Sequence, residues 1–142
     1  MMMSTVFTKI IQREIPAEIV YEDEHFIAFL DIIQTTKGHC LVVTKKEYVS
    51  VLALPENVAS EFFKVVNKVA KAITKAFNTD SINILSNSGV AAGQTIYHCH
   101  FHLIPRYKND GLNFSLINHI HETTQEEYVL RKEAIIKALN NL

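Results

Sequence analysis

The stretch GQTIYHCHFHLIPRY, residues 93–107, places histidines at positions 98, 100 and 102, each followed by an apolar or thiol side chain. Its β-branched and aromatic residues predict a strand that Pro105 closes. Because the side chains of a strand alternate between its two faces, the three imidazoles are expected on one face, with neighbours about 6.5–7 Å apart. The stretch therefore predicts a strand that presents a row of imidazoles on one side of a sheet.

Four other stretches predict the remaining strands of this sheet. Each is short, rich in β-branched or aromatic residues and bounded by polar residues or glycine. An acidic turn at residues 22–23 joins the first two, which indicates a hairpin and an antiparallel sheet. The four stretches are EIVYED (18–23), HFIAFLD (25–31), GHCLVVT (38–44) and SINILSN (81–87).

Helical patterns occupy much of the rest of the chain. Residues 57–77 carry an apolar side chain at every third or fourth position and lysines on the other side, which predicts a long amphipathic helix. A short helix is predicted over residues 5–15, with Ser4 as its cap and Pro16 after its end, and a final helix over 121–142. The final helix is expected to turn four side chains inward: Tyr128, Ile135, Ile136 and Leu139.

These elements together predict an α+β fold. It has a single antiparallel sheet of about five strands, the long amphipathic helix and shorter terminal helices. A chain of 142 residues is long enough for one domain with its own core.

Charge and composition limit the classes of function. The net charge of −1 lacks the basic surplus that binds nucleic acid. No apolar run reaches the roughly 18 residues of a membrane helix, and the start lacks the basic and apolar regions of a signal peptide. Two cysteines without CxxC spacing are typical of a reduced protein. We therefore expect a cytoplasmic protein without a nucleic-acid or membrane partner.

Three interpretations of the imidazole row compete. The histidines could be polar residues on the exposed face of a sheet, where threonine or lysine would serve as well. Histidines at i and i+2 of a strand could bind one zinc ion, with further ligands from elsewhere. In the third interpretation, a neutral imidazole attacks phosphorus and forms a short-lived nucleotidyl-histidine that water cleaves. Histidine suits that chemistry because its pKa near ~6.5 leaves it largely neutral at working pH.

The residues just before the row favour the third interpretation. The stretch NSGVAAGQT, residues 87–95, combines two glycines with amide and hydroxyl side chains. Backbone N–H groups of such a loop, together with these side chains, can hold phosphate oxygens without a metal ion. The nearest acids in sequence, Asp80 and Asp110, are poorly placed to complete a zinc site. The sequence therefore favours phosphate chemistry over metal binding.

The motif HCHFHLI resembles the HφHφHφφ signature of the histidine triad (HIT) superfamily of nucleotide hydrolases and transferases. Residues 9–46, from KIIQREIP to VVTKK, are similar to the N-terminal half of the same domain. The resemblance covers about residues 5–108 and implies a HIT domain over 1–108. Residues 109–142 would then form a C-terminal extension that ends in a helix and packs on that domain.

The resemblance implies a role for each histidine. The central histidine of the signature, His100, would be the nucleophile. His98 and His39 would orient the imidazoles, and His102 would bind phosphate and assist the leaving group. The carboxylate of Asp31 would bind both ribose hydroxyls. Base contacts would come from Phe29, Leu30 and Ile32, with Ile27 and Phe26 nearby, and phosphate contacts from Asn87, Gly93, Gln94 and Thr95.

The activity that the resemblance implies is hydrolysis of a purine nucleoside phosphoramidate at its α-phosphate, through a covalent nucleotidyl-histidine. No cofactor or metal would take part, and the protein would be a homodimer. The segment HLIPRY, with Arg106, also fits the diadenosine polyphosphate hydrolases of the superfamily. A nucleotide-binding interaction protein with slow turnover is the third candidate.

One departure from the family pattern concerns zinc. Bacterial and archaeal members often begin CxxCKII and hold a structural zinc ion with these cysteines and a histidine after a KK pair. Here Thr5 and Thr8 take the cysteine positions, and Glu47 follows the lysine pair. Because threonine hydroxyls are poor zinc ligands at neutral pH, no structural zinc is expected.

Overall fold

A computed structural model describes residues 4–142. The chain divides into two compact units, one that ends at Leu112 and one from Asn113 to Leu142. The first contains a single five-stranded sheet in the order β1-β2-β3-β5-β4, and every neighbouring pair is antiparallel. This confirms the predicted α+β fold with one antiparallel sheet. The strands are β1 (Ile19–Glu22), β2 (Phe26–Leu30), β3 (Cys40–Thr44), β4 (Ile82–Leu85) and β5 (His100–Pro105).

The two faces of the sheet carry different cores. Helix α2 (Glu56–Ala76) covers one face, where its Phe62 packs against Phe26 with ring centroids 5.1 Å apart. Helix α1 (Val6–Ile11) supplies Phe7 and Ile10 to the other face, beside the alternate side chains of β2 and β3. The alternation of strand side chains thus separates a face packed on the long helix from a face packed on the short one.

The short helix differs from its predicted form. Its N-cap is Thr5 rather than Ser4, because Thr5 and Thr8 form a reciprocal capping box. It ends at Ile11, and Arg13 has a positive φ of 63°. A helix to residue 15 is therefore wrong.

The predicted triad strand also starts later than expected. Strand β5 begins at His100, so His98 and Cys99 lie in the irregular segment before it. The N–H of Cys99 donates to the carbonyl of Tyr48 at 2.7 Å, which is a bond outside the strand ladder. Only His100 and His102 are alternate residues of one strand.

In the second unit, helix α3 runs from Gln125 to Leu139 and begins with a capping box of Thr124 and Glu127. The four side chains that were expected to turn inward are 47–62% exposed: Tyr128, Ile135, Ile136 and Leu139. None of the described helices is long and apolar enough to cross a bilayer.

Candidate active site

His100 is the first residue of β5 and lies opposite Val43 of β3. Its Nδ1 is 2.6 Å from the carbonyl oxygen of His98. A carbonyl can only accept, so Nδ1 carries the proton, and the Nε2 of the neutral ring keeps a free lone pair. The ring of Phe7 packs edge-on against it, with centroids 4.9 Å apart. This arrangement fixes both the tautomer and the orientation of the imidazole.

His98 is fully buried and holds that carbonyl in place. Its Nε2–H donates to the carbonyl of Thr44, the last residue of β3, at 2.6 Å. Its Nδ1 is therefore an acceptor in the neutral ring, and the hydroxyl of Thr5 lies 3.2 Å from it. His98 thus connects the end of β3 and the start of α1 to the backbone of the triad.

Thr5, Thr8 and Glu47, the residues at the family's zinc-ligand positions, meet around His98. The hydroxyl of Thr8 donates to the carboxylate of Glu47 at 2.6 Å, and the two threonine hydroxyls are 3.4 Å apart. Thr5 and Thr8 offer only neutral hydroxyls as metal ligands. Their hydroxyls, the Glu47 carboxylate and Nδ1 of His98 already interact with one another. This donor set does not fit a structural zinc ion.

His39, His102 and Asp31 form a second connected group. The backbone N–H of Thr35 donates to Nδ1 of His39 at 3.4 Å, which leaves the proton of a neutral His39 on Nε2. That Nε2 is 3.0 Å from Nδ1 of His102, so His102 accepts there and carries its own proton on Nε2. Oδ2 of Asp31 lies 3.5 Å from the His39 Nε2. The rings of His102 and His100 are neighbours, with centroids 5.2 Å apart, so a ring that carries its proton on Nε2 adjoins His100.

The four imidazoles favour their neutral forms. Burial lowers the pKa of His39, His98 and His100 from its ordinary value. Burial, together with smaller effects of His100 and His39, lowers the pKa of His102 to about 4, against the opposite effect of Asp31. A neutral His100 is the form that can act as a nucleophile at neutral pH.

A cavity of about 310 Å³ opens onto His100 and His102. Its wall includes the predicted base contacts Phe29, Leu30 and Ile32, as well as Asp31. The sequence did not predict that α1 and the segment after it form part of the cavity wall, although the apolar spacing of α1 was visible. The missed wall residues are Val6, Phe7, Ile10, Ile15, Pro16, Ala17, Ile33, Leu41 and Ile96.

Two predicted base contacts do not line this cavity. Phe26 lies on the opposite face of the sheet, packed against Phe62 of α2 and away from the cavity. Ile27 faces the cavity side but is fully buried in the core cluster behind the wall. The alternation along β2 separates Phe26 from Phe29, which is on the same face as Ile27 and reaches the cavity.

Gln94, a predicted phosphate contact, is buried. The oxygen of its side-chain amide accepts from Gly89 N–H at 2.8 Å. The nitrogen of the same amide donates to the carbonyls of Val49 and Ile96 at 2.7 and 3.0 Å. These bonds tie the loop before the triad to the segment that follows β3 and occupy the amide that was predicted to contact phosphate.

The other predicted phosphate contacts lie in different surroundings. Thr95 lines the cavity beside the histidines. Gly93 has φ +88°, a backbone conformation that glycine adopts readily, and a Cβ there would lie 3.7 Å from Nδ2 of Asn87. Gly93 and Asn87 are therefore neighbours within the loop that precedes the triad.

Comparisons with known proteins find one matching family model and similar sequences and structures. The family model described as "HIT domain" matches residues 12–109. "Protein hit" of Bacillus subtilis is 42% identical over 135 residues, 94% of this chain and 93% of that protein. "Adenosine 5'-monophosphoramidase HNT1" of Saccharomyces cerevisiae is 39% identical over 71% of this chain and 61% of its own. The crystal structure of a HIT family protein from Bacillus anthracis has a TM-score of 0.88 at 44% identity, covering 94% of this chain and 96% of that one.

The link between Thr5 and His98 predicts the effect of one substitution. Thr5→Val removes the hydroxyl that both caps α1 and satisfies a fully buried ring nitrogen of His98, and it is expected to lower the free energy of unfolding by about 1–3 kcal/mol. Thr5→Ser keeps the hydroxyl and should recover most of this loss. Urea unfolding measures both variants, with Ser4→Ala, an exposed neighbour, as the control. Equal losses for valine and serine would contradict the assigned contact.

The lowered histidine pKa values predict how stability depends on pH. Unfolding restores the ordinary histidine pKa, so the unfolded chain binds more protons, and the free energy of unfolding should fall as pH drops below about 6.5. The carboxylates whose pKa is lowered contribute mainly below about pH 5, so urea unfolding between about pH 7.5 and 5.5 isolates the histidines. His102→Gln removes the imidazole whose pKa is lowered to about 4 and should reduce this slope. A free energy that stays constant or rises on acidification would refute the assignment.

Proposed function

The chain belongs to the HIT domain family, and on that premise we propose that it hydrolyses a purine nucleoside phosphoramidate at the α-phosphorus. The observation that carries the proposal is the hydrogen bond from Nδ1 of His100 to the carbonyl of His98. It leaves the Nε2 lone pair of a neutral ring in a cavity that His102 also lines. A nucleophile and a proton carrier therefore share one site.

The reaction would proceed in two displacements at phosphorus. Nε2 of His100 attacks, an N–P bond to the enzyme forms, and the P–N bond of the substrate breaks. The departing nitrogen needs one proton to leave as a neutral amine, and His102 is the group placed to pass this proton on from solvent. Water then attacks the nucleotidyl-histidine, gives up its proton by the same route and releases a nucleoside monophosphate and neutral His100.

The remaining wall would bind the rest of the nucleotide. The apolar cavity beside Phe29 and Ile32 suits a purine, and Asp31 at its edge suits the ribose hydroxyls, as the resemblance implies. Thr95 and the backbone of the loop at Gly93 would contact phosphate. The side-chain amide of Asn87 would also contact phosphate.

The leaving group is proposed to be small and uncharged rather than a second nucleotide. A polyphosphate tail needs cationic partners, but Arg106 makes a bidentate pair with Asp110 at 2.8 and 3.0 Å and also donates to Oδ1 of Asn83. A second cavity of about 500 Å³ adjoins the first at Thr95 and Ile96. No lysine or arginine is among the described residues that line either cavity. These contacts favour an amine over a polyphosphate.

Three further statements from the sequence stay predictions. These are the homodimer, the cytoplasmic location and the packing of residues 109–142 on the HIT domain. Apolar exposure on α2 and on the edge strand β4, at Phe63 and Ile84, is compatible with a second subunit.

A substrate panel tests the proposal. With a chelator present, adenosine 5'-phosphoramidate should turn over faster than diadenosine tri- and tetraphosphate, because the described residues that line the two cavities include no lysine or arginine for a polyphosphate. His100→Ala removes the nucleophile and should lower turnover by about a thousandfold or more while AMP binding persists. The exposed-site variant His121→Ala is the control.

The other candidates give different results in the same panel. Faster cleavage of a diadenosine polyphosphate would replace the proposal with that hydrolase activity. AMP binding without turnover, equal in wild type and His100→Ala, would indicate a nucleotide-binding interaction protein. Loss of activity to the chelator would contradict a reaction that needs no metal.

A further inference from the structure

We propose that Asp31, His39 and His102 form a binding site for a divalent transition-metal ion of the zinc and copper class, and that this ion inhibits the enzyme. The inhibition rests on the proposed function, whereas the binding does not. The three side chains come from the end of β2, the residue before β3 and the middle of β5, so the sheet itself brings them together.

The distances between the three facing atoms match a metal site. Nε2 of His39 is 3.0 Å from Nδ1 of His102 and 3.5 Å from Oδ2 of Asp31, and the remaining pair is 4.0 Å apart. A point equidistant from these three atoms and in their plane lies about 2.1 Å from each, which is the length of zinc bonds to imidazole nitrogen and carboxylate oxygen. A tetrahedral ion with bonds of this length lies outside that plane and holds its ligand atoms about 3.4 Å apart, so side-chain shifts of about 0.6 Å or less would complete the site.

The chemistry of the donors also fits. Two neutral imidazoles and one carboxylate are a donor set that zinc and copper bind in proteins, whereas Mg²⁺ prefers oxygen ligands in octahedral geometry. The side chains of Asp31 and His39 are 9% and 4% exposed, but that of His102 is 24% exposed and borders the cavity. Solvent can therefore supply the ion and a water molecule as fourth ligand.

Binding requires one proton to move. His39 carries its proton on Nε2, the atom that would bind the ion, and this proton must transfer to Nδ1. The transfer disrupts the hydrogen bond from Thr35 N–H, which at 3.4 Å is long for an N–H donor. The lone pair of His102 Nδ1, which now accepts from His39, becomes free for the metal in the same rearrangement. The number of protons on the protein is unchanged.

The ion would compete with the nucleotide. It would occupy the Oδ2 lone pair of Asp31, the carboxylate proposed for the ribose hydroxyls, and would hold His102 through Nδ1. His102 could then no longer adjust to the leaving group, and nucleotide and ion would exclude each other.

The experiment titrates the chelator-treated full chain with Zn²⁺ by calorimetry and with Co²⁺ by visible absorption. We expect one equivalent with the intense bands of a tetrahedral Co²⁺ site, no comparable heat with Mg²⁺, and an apparent zinc Kd that rises about tenfold or more at saturating AMP. Asp31→Asn and His102→Gln should each weaken zinc binding about tenfold or more. A double variant of exposed histidines, His119→Gln/His121→Gln, should bind as the wild type does.

Several results would overturn the inference. The metal site is overturned by an absence of stoichiometric binding, by equal binding of wild type and both site variants, or by loss of binding in the exposed-histidine variant. Inhibition by competition is overturned if AMP binds the protein without changing its zinc affinity. Formation of the nucleotidyl-enzyme by metal-free protein is measured separately. Failure of the metal site would leave that adduct intact, and failure of the adduct would leave zinc binding intact.

Discussion

The hydrogen bond from Nδ1 of His100 to the carbonyl of His98 is the interaction on which the site depends. Both groups belong to one short segment of chain, so the bond needs no partner from another element. It fixes the ring tautomer, and the tautomer decides which nitrogen can react. His98 is fixed in turn by two further contacts. Its ring donates to the carbonyl of Thr44 at the end of β3 and lies within hydrogen-bond distance of the Thr5 hydroxyl at the N-terminus of α1.

Burial supplies the second condition for this chemistry. Enclosure by Phe7 and the sheet lowers the pKa of the imidazoles, which keeps them neutral and keeps their lone pairs available. Neutral lone pairs attract metal ions as well as phosphorus. The same arrangement that would favour a nucleophile at His100 therefore creates, around His39 and His102, a group of donors with the spacing of a zinc site.

The sequence predicted the sheet, the long helix and the identity of the imidazoles, because each has a strong local pattern. It could not predict which face of β2 meets the histidines, since that depends on strand register. Register places Phe29 opposite Leu41, and Leu41 opposite His102, whereas Phe26 pairs with Thr44 and turns toward α2. The cap of α1 at Thr5 was missed because Ser4 is an equally good cap by residue type, and only the contact with Thr8 distinguishes them. Gln94 is a residue type that can bind phosphate, but its amide instead bonds Gly89 in its own loop and Val49 in the segment after β3.

Nitrogen-15 NMR of the histidine side chains reports which ring nitrogen of His100 carries the proton. For the metal-free protein at neutral pH we expect a protonated Nδ1 and an unprotonated Nε2 on His100, with the opposite tautomer on His98. A proton on Nε2 of His100, or an imidazolium at that position, would remove the lone pair from the cavity and exclude His100 as the nucleophile.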